Sequence, residues 1–474
     1  MYKQVRHIIA LTLFSLLLAG CTLGPDYLRP EVDTPLAWKE GAPWKEAAPM
    51  DGAPKGSWWE IYGDPVLNGL EEEAAAANQD LRAAAARVDQ ARALARIDEA
   101  DLLPRVDLNP AAGRARTPGD FAFGGKGVTG DSYSVPFDLS YEIDLWGRVR
   151  RSAEASRADA GASLADYRNV LLVLQAEVAG NYFALRSLDA EIALLERTVG
   201  LRRENLELVA SLFEHGQVGR LDVARAETEL ATTEAEALGV QKRRAELEHA
   251  LAVLLGRAAA GFALSPAPLD LTPPAVAPGL PSSLLERRPD VGAAERQMAA
   301  ASARIGIART AFFPAIRLTG SAGYASTEAS GLFDWDSRSW ALGPAVSLPI
   351  FEAGRNRANL NRARAAYEEA VAIYRRQVLV AFAEVEDALS GLRVLAAQAD
   401  AQGRAVGAAR EAAEISDKRY QAGFVSYLEV VDSQRTSLQS ERQAVQILGQ
   451  RLQASVSLIK ALGGGWNMEP GQAG

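Results

Sequence analysis

An internal tandem duplication restricts the fold of this chain more than any other feature of its sequence. Residues 165–190 match residues 372–397 at a constant offset of 207 positions, without gaps. Further upstream the offset becomes 210, and there it pairs Pro104 with Pro314. Chance similarity between alanine-rich helices cannot keep glycines and prolines in register over such distances. We therefore expect two structural copies of one unit.

Each copy predicts the same order of elements: a helix, a strand, a loop, a second strand, a very long helix, a tight turn and a return helix. The low aromatic content of 7% and the many alanines suit long helices better than one compact core. The long helix follows Gly147 or Gly354 and runs about 67 residues, which corresponds to roughly 100 Å. One return helix stacked end to end on one short helix would match that length.

The N-terminus has the features of an export signal. A positive start precedes an apolar run from Ile8 to Gly20, which is too short to cross a bilayer, because a crossing needs about 20 residues. The run ends in Leu18-Ala19-Gly20-Cys21, which resembles a bacterial lipobox. We therefore expect cleavage before Cys21 and acylation of this cysteine, with palmitate as one expected chain. A chance cysteine after an ordinary signal peptide is the alternative.

Charge and composition exclude several classes of function. Removal of Lys3 and Arg6 with the signal peptide changes the formal net charge from −9 to −11, which argues against nucleic-acid binding. Cys21 is the only cysteine, and only His215 and His249 remain as histidines after cleavage. Disulfides within the chain, thiolate metal sites and a Ser-His-Asp triad have no basis. We therefore expect the chain to have no enzymatic activity, no metal site and no cofactor other than the covalent lipid.

The strand segments alternate apolar and polar residues. Between Ser132 and Asp144 the apolar side chains fall on one face, and the second copy keeps the same phase from Trp340 to Ile350. This pattern is typical of a membrane barrel strand, apolar toward lipid and polar toward the lumen. A half-buried strand of a soluble sheet has the same period, but the lipidation signal and the long helices favour the barrel. No stretch is apolar enough for a transmembrane helix.

One chain supplies only four strands, and four strands cannot close a barrel. Eight strands would leave an interior filled by side chains, whereas twelve strands from three chains leave room for a conduit. The predicted fold class is mixed, all-α plus membrane β. The tandem-duplicated chain gives four strands of a trimeric 12-stranded β-barrel and a long 12-helix α-barrel. At a helix spacing of about 10 Å, the helical ring would be roughly 40 Å across.

The predicted domain organisation follows from the repeat boundaries. The segments are a signal peptide at 1–20, a lipid-anchored extended leader at 21–77, a first structural repeat at 78–256 with a strand pair at 105–146 and a long helix hairpin at 148–255, a proline-rich linker or equatorial segment at 257–287, a second structural repeat at 288–463 with a strand pair at 315–352 and a long helix hairpin at 355–462, and a tail at 464–474.

The chain resembles the TolC-like outer-membrane factor family, in its NodT-type lipoprotein branch. The motifs that carry the resemblance are Cys21 with Gly24-Pro25-Asp26-Tyr27 and Pro30, Trp58-Trp59 with Gly63-Asp64-Pro65, Asn78 to Ala91, and Arg287-Arg288-Pro289-Asp290-Val291 running through Ala294-Glu295 and Ile305-Gly306 to Phe312-Phe313-Pro314.

The resemblance implies a function and partners. Members of this family are homotrimeric, passive outer-membrane ducts for small molecules such as drugs, toxic compounds or metal ions. They are joined through a periplasmic adaptor to an inner-membrane pump, which we expect to be of the RND type. The implied location is the outer membrane, with the helical part in the periplasm. The exported compound is not encoded here, because selection resides largely in the pump.

Two tight turns lie farthest from the strands and are the predicted periplasmic tips. Glycine there permits the positive φ angles that reverse a helix. The resemblance implies that adaptor hairpins contact these turns. The adaptor-contacting residues are Gly216, Gln217, Val218, Gly219, Arg220 and Leu221 in the first turn, and Gly423, Phe424, Val425, Ser426 and Tyr427 in the second.

The helix after the second turn carries the predicted gate. By similarity to the family, Leu428 matches an apolar constriction, Glu429 an acidic ring position, and Asp432 and Arg435 a polar pair. Tyr420 also matches a gate position, whereas Val425 replaces an arginine that some members carry. In a trimer each position becomes a ring of three, and the carboxylates would favour cations until an adaptor opens the gate. A solvated helix face is the alternative. The equivalents of Glu429 and Asp432 in the first copy are Asp222 and Arg225.

Two other classes of function fit part of the sequence. A structural lipoprotein that only spans the periplasm would show no conductance and no heat-modifiable trimer. A conduit for type I protein secretion would have the same architecture but would export polypeptides.

Overall fold

The structure, a computed structural model, describes residues 22–30, 56–118, 120, 127–274 and 287–464. The predicted signal peptide, the lipidation site at Cys21 and the tail after Gly464 lie outside the described residues. In chain order the helices are α1 (Pro65–Ala77), α2 (Gln79–Ala100), α3 (Arg148–Glu214), α4 (Arg220–Leu254), α5 (Pro289–Thr310), α6 (Arg355–Gln421) and α7 (Tyr427–Ala461), and the strands are β1 (Arg105–Leu108), β2 (Ala111–Thr117), β3 (Val128–Glu142), β4 (Ala315–Ser326) and β5 (Arg338–Ser347).

Equivalent helices in the two copies have equal lengths. The long helices α3 and α6 each contain 67 residues, and the return helices α4 and α7 each contain 35. The short helices α2 and α5 each contain 22. Within the described ranges, none of the helices has the length and apolar character that a membrane crossing requires.

The chain folds into two compact units. The first comprises the described parts of Met1–Glu31, Arg87–Leu164 and Ala293–Arg375 and contains the sheet. The second comprises the described parts of Val32–Ala86, Ala165–Gly292 and Arg376–Gly474 and contains the two helix turns.

In the second unit, the end of each return helix meets the start of the short helix of the same copy. The Asn78 side-chain amide donates to the Leu254 carbonyl at 2.9 Å, and the Arg288 guanidinium donates to the Ala461 carbonyl at 3.1 Å. Asn78 and Arg288 correspond at the offset of 210, and the two carbonyls correspond at 207. A return helix and a short helix therefore meet end to end in both copies, as the helix lengths predict. Different side chains bond the junction in the two copies.

The strands form one antiparallel sheet in the order β1-β3-β4-β5, and β2 pairs with the outer half of β3. Between β1 and β2 stands Pro110, which has no backbone N–H to donate, so the ladder is interrupted there. The Asn109 N–H before it still bonds the Pro136 carbonyl at 3.1 Å. The first strand of the pair predicted at 105–146 is thus two short strands on one side of β3.

The apolar face of the sheet is uncovered in the described chain. Cross-strand neighbours Phe137, Ala322 and Trp340 share this face, and so do Leu139, Gly320 and Leu342. The exposed fractions of Phe137, Trp340 and Leu342 are 54%, 81% and 65%. The opposite face carries serine, threonine and aspartate side chains, as the alternation predicts.

The extended leader expected at residues 21–77 is wrong for its last part. Residues Trp58–Tyr62 form a 3-10 turn, and α1 follows it with Pro65 in its first position, where a missing N–H costs nothing. The Asp64 carboxylate caps α1 by accepting from the Val66 N–H at 2.9 Å. Trp58, Trp59, Tyr62 and the apolar face of α1 are buried against α3, α4 and α7 in the core of the second unit.

Buried charges hold the proline-rich segment that follows α4. The Asp189 carboxylate accepts from the Ala267 N–H at 3.2 Å, and the Arg186 guanidinium donates to the Ser265 carbonyl at 2.7 Å. Arg244 pairs with Asp189 at 2.6 Å. The first part of the predicted linker is therefore fixed to α3 and α4, while residues 275–286 lie outside the described part of the chain.

Glu71 of α1 is buried in the same core. Its side chain is completely buried, and neither carboxylate oxygen makes a well-aligned hydrogen bond with the described residues. Burial raises the pKa of Glu71 to about 9, and the nearby Ala179 backbone amide opposes this effect only in part. Glu71 is therefore protonated in the folded chain at neutral pH.

Stability should fall as the pH rises from about 4.5 to about 9, because the unfolded chain releases the Glu71 proton and the folded chain keeps it. At pH 7 this loss amounts to about 3 kcal/mol, at 1.36 kcal/mol for each pH unit above the unfolded pKa. Glu71→Gln should raise the thermal midpoint at pH 8 more than at pH 5. Glu72→Gln, at an exposed position of α1, is the control. Equal midpoint changes at both pH values would contradict the prediction.

Candidate functional site

The two turns predicted as tips have the same backbone structure. Gly216 and Gly423 end the long helices with φ angles of 74° and 78°, a left-handed conformation that favours glycine. The Gln217 N–H bonds the Leu212 carbonyl, and the Phe424 N–H bonds the Arg419 carbonyl, each at 2.9 Å. Both long helices therefore close with the same glycine cap, which reverses the chain within a few residues.

The two hairpins pack against each other through a small apolar cluster. Around it lie the partly buried side chains of Leu206, Val218 and Tyr420. The buried members come from both copies: Val209, Val223 and Ala226 from the first hairpin, and Tyr427, Val430 and Val431 from the second. The duplication thus places the two turns side by side at one end of the second unit.

Outside this cluster the turns present a mixed surface. The exposed fractions of Leu221, Phe424 and Leu428 are 62%, 77% and 50%. Gly216, Gln217, Gly219, Arg220, Gly423 and Ser426 are also exposed, and Val218 and Val425 are half-buried.

Tyr427, a predicted contact residue, lies buried instead. Its ring packs on Tyr420 with 5.6 Å between centroids, so it supports the turn from inside. Arg220 occupies the equivalent position in the first copy, and it is exposed and pairs with Glu227 at 3.5 Å.

The predicted gate residues other than Tyr420, which packs against the apolar cluster, divide into two groups. Leu428, Glu429, Asp432 and Arg435 are exposed on α7, whereas Asp222 and Arg225 are half-buried on α4 and pair at 3.3 Å. The expected pair of Asp432 with Arg435 is not formed among the described residues. The Arg435 guanidinium bonds the Glu229 carboxylate on α4 instead. The carboxylates of Glu429 and Asp432 are therefore left facing solvent.

Sequence reasoning missed Glu229, the central charge of this region. It is buried, and the buried Arg202 of α3 pairs with it at 3.0 Å while donating to its backbone carbonyl at 2.7 Å. One carboxylate thus connects α3, α4 and α7. Glu229 lies seven positions after Asp222, on the same face of α4, and this spacing was the available signal.

Both tyrosines of the cluster remain neutral over the physiological pH range. Burial, followed by Tyr420 and Glu229, raises the pKa of Tyr427 to about 12. Burial and then the Asp222 carboxylate raise the pKa of Tyr420, whose buried hydroxyl has no hydrogen-bond partner among the described residues.

The site combines exposed apolar side chains, such as Phe424 and Leu428, with the exposed carboxylates of Glu429 and Asp432. Within the described part of the chain, no group of three or more His, Cys, Asp or Glu side chains is arranged to hold a metal ion.

Known proteins resemble the chain over almost its whole length. The family model described as outer membrane efflux protein matches residues 70–257 and 280–464. Outer membrane protein OprJ of Pseudomonas aeruginosa is 35% identical, with 97% of this chain and 96% of that protein covered. The solvent efflux pump outer membrane protein SrpC of Pseudomonas putida is 36% identical, with 97% and 98% covered.

Solved structures show the same fold. The outer-membrane channel OprN matches with a TM-score of 0.85 and 32% identity, covering 94% of this chain and all of that one. The Campylobacter jejuni CmeC outer membrane channel matches with a TM-score of 0.88 and 28% identity, covering 94% of this chain and 95% of that one.

Loss of the Glu229 charge should loosen the turns. Glu229→Gln leaves Arg202 buried without its counter-ion, which we expect to cost about 3–5 kcal/mol. Amide hydrogen exchange in the first turns of α4 and α7 should therefore accelerate. Glu227→Gln, which removes only an exposed pair, is the control. Unchanged exchange in Glu229→Gln would contradict the role of this carboxylate.

Proposed function

Because the chain belongs to the outer membrane efflux protein family, we propose that three copies of it form the passive exit duct of a tripartite efflux system. The chain is an outer-membrane protein whose helical part lies in the periplasm. The family is one of channels, not of enzymes. Energy for export then comes from an inner-membrane pump, for which we propose the RND type. No cofactor is needed apart from the lipid on Cys21.

The observation that carries the trimer is an open sheet with an apolar face and two unpaired edges. Among the described strands, β5 forms one edge, and β1 with β2 forms the other. Open edges cannot face lipid, because their N–H and C=O groups would have no partners. Neighbouring strands alternate in direction, so β5 of one protomer would run antiparallel to β1 and β2 of the next. Three protomers then close a 12-stranded barrel.

The residues after Cys21 support acylation at the membrane. The Leu23 N–H bonds the Trp146 carbonyl at 3.0 Å, between the end of β3 and the start of α3. The Thr22 backbone lies so close to Gly147 that a Cβ there would approach it to 2.9 Å. Cys21 itself is outside the described residues, but its neighbour lies at the helix end of the sheet. A lipid on Cys21 would start from the periplasmic side of the barrel.

The helix turns are the proposed gate and docking site. In the trimer, Leu428 would form an apolar ring, and Glu429 and Asp432 would form rings of unpaired carboxylates that favour cations. The exposed Leu221 and Phe424 would meet the helical hairpins of a periplasmic adaptor, and this contact would open the gate. Names of relatives such as SrpC refer to solvent efflux, which supports small organic molecules as the exported class.

A charge on the apolar face of the sheet should impair membrane insertion. Leu342→Lys places an amine toward lipid, at a cost of about 2–4 kcal/mol near the bilayer midplane. We expect less heat-modifiable trimer in the outer membrane and fewer channels in planar bilayers. Ser321→Lys, on the polar face of β4, should leave the trimer intact. Equal trimer yields from the two variants would contradict the assignment of faces. A wild-type chain without trimer or conductance would support a structural spacer.

Removal of the gate charges should change ion passage. Glu429→Gln with Asp432→Asn should lower the preference for cations over anions, measured as a shift in reversal potential across a salt gradient. Glu414→Gln, an exposed acid on α6 paired with Lys418, is the control. The gate assignment fails if Asp432→Ala with Arg435→Ala has the single-channel conductance of the wild type.

A further inference from the structure

Three arginines stand on the apolar face of the sheet at the end that carries the strand-to-strand loops. Arg114 and Arg116 pair with Asp131 and Thr129 of β3, and these positions alternate with the same phase as Val135. Arg338, the first residue of β5, pairs with Tyr324, which itself pairs with Val135. The side chains of paired residues share a face, so all three arginines project on the side of the apolar band.

This end of the sheet points away from the cell. At this end β2 is followed in the chain by β3 and β4 by β5, whereas the strand ends on the opposite side connect to the helices. The helices are periplasmic, so the arginines lie at the outer rim. The segment of β3 from Tyr133 to Tyr141 carries the apolar residues, and its length is close to the roughly 9–11 residues that a tilted barrel strand needs to cross a membrane.

The rim arginines have spare capacity to bind an anion. The Arg116 guanidinium donates to the Thr129 hydroxyl at 3.4 Å, and Arg338 stacks on the Trp335 ring and donates to its carbonyl at 2.6 Å. Among the described residues, neither of these arginines meets a carboxylate within ion-pair distance. Arg114 pairs with Asp131 at 3.6 Å, but both side chains are exposed, and such pairs are weak.

Three exposed aromatic side chains lie close to Arg338 in the sequence. The exposed fractions of Phe333, Trp335 and Trp340 are 69%, 72% and 81%. Aromatic rings of this kind settle at the level of lipid headgroups, where one side of the ring is apolar and the other is wet. The combination places guanidinium groups where the headgroups of the outer leaflet begin.

We propose that Arg116 and Arg338, assisted by Arg114, bind the phosphates of a phosphorylated acyl glycolipid of the lipid A type in the outer leaflet. This inference rests on the proposed barrel closure. In that closure β5 of one protomer adjoins β2 of the next, so Arg338 and Arg116 from two protomers line one seam. A guanidinium group can donate two parallel hydrogen bonds to two oxygens of one phosphate. The aromatic rings beside the arginines would pack on the acyl chains. The seam thus holds a lipid whose two phosphates connect neighbouring protomers.

The experiment measures binding of diphosphoryl lipid A to the purified trimer in detergent, by native mass spectrometry, with dephosphorylated lipid A as the matched probe. We expect the wild type to prefer the diphosphoryl lipid. Arg116→Gln and Arg338→Gln should each weaken its binding about tenfold, which corresponds to one lost charge-assisted hydrogen-bond pair. Arg105→Gln is the control, because Arg105 is an exposed arginine at the end of the sheet that connects to the helices. This variant should bind the lipid as the wild type does.

Four outcomes have distinct meanings. Equal affinity of the wild-type trimer for both lipids would overturn the phosphate site. Tight binding by the double variant Arg116→Gln/Arg338→Gln would overturn the residue assignment. A preference for phosphatidylglycerol over diphosphoryl lipid A would overturn the glycolipid as the occupant. A chain that forms neither trimer nor conducting channel would instead refute the proposed function, and the shared seam with it.

Discussion

Backbone hydrogen bonding in lipid is the constraint on which the rest of the molecule depends. A sheet with unpaired edges cannot be exposed to hydrocarbon, because each unpaired N–H or C=O group costs several kcal/mol there. The described strands leave two such edges and expose an apolar face with Trp340 and Leu342. In the proposed trimer, neighbouring copies would pair these edges, and lipid would cover the apolar face. The number of helices in the proposed duct then follows from the number of protomers. Each protomer contributes two long helices and two further columns, each made of a return helix stacked end to end on a short helix.

Duplication supplied the scaffold, and later divergence changed its contacts. The same junction between a return helix and a short helix is bonded by an amide at Asn78 and by a guanidinium at Arg288. Arg288 also pairs with Asp290 and Glu384, so it forms an ionic network at the second junction, whereas Asn78 contributes neutral hydrogen bonds at the first. At the turns, Asp222 pairs within its own helix, whereas its equivalent Glu429 faces solvent. The two copies thus have the same backbone structure but carry different charges on their surfaces.

Helix and strand boundaries were predictable because the residues that set them act locally. Gly216 and Gly423 end the long helices through their positive φ angles, and Pro104 and Pro314 follow the short helices. The alternation from Ser132 to Asp144 located β3 to within a few residues. The end of the predicted extended leader is helical, although it contains proline and tryptophan. In fact Pro65 starts α1, and Trp58 and Trp59 fill the core beneath it.

The sequence by itself determined the two copies, their element order and the faces of the strands, since periodicities of 2 and 3.6 are properties of neighbouring residues. Only the tertiary structure decided which partner each charge takes. Arg435 is 206 positions from Glu229 in the sequence. No local pattern shows that α4 and α7 bring these two residues together, so that Arg435 pairs with Glu229 and not with the nearby Asp432. The same holds for the uncharged Glu71, because its raised pKa arises from helices packed around it and not from its neighbours in sequence.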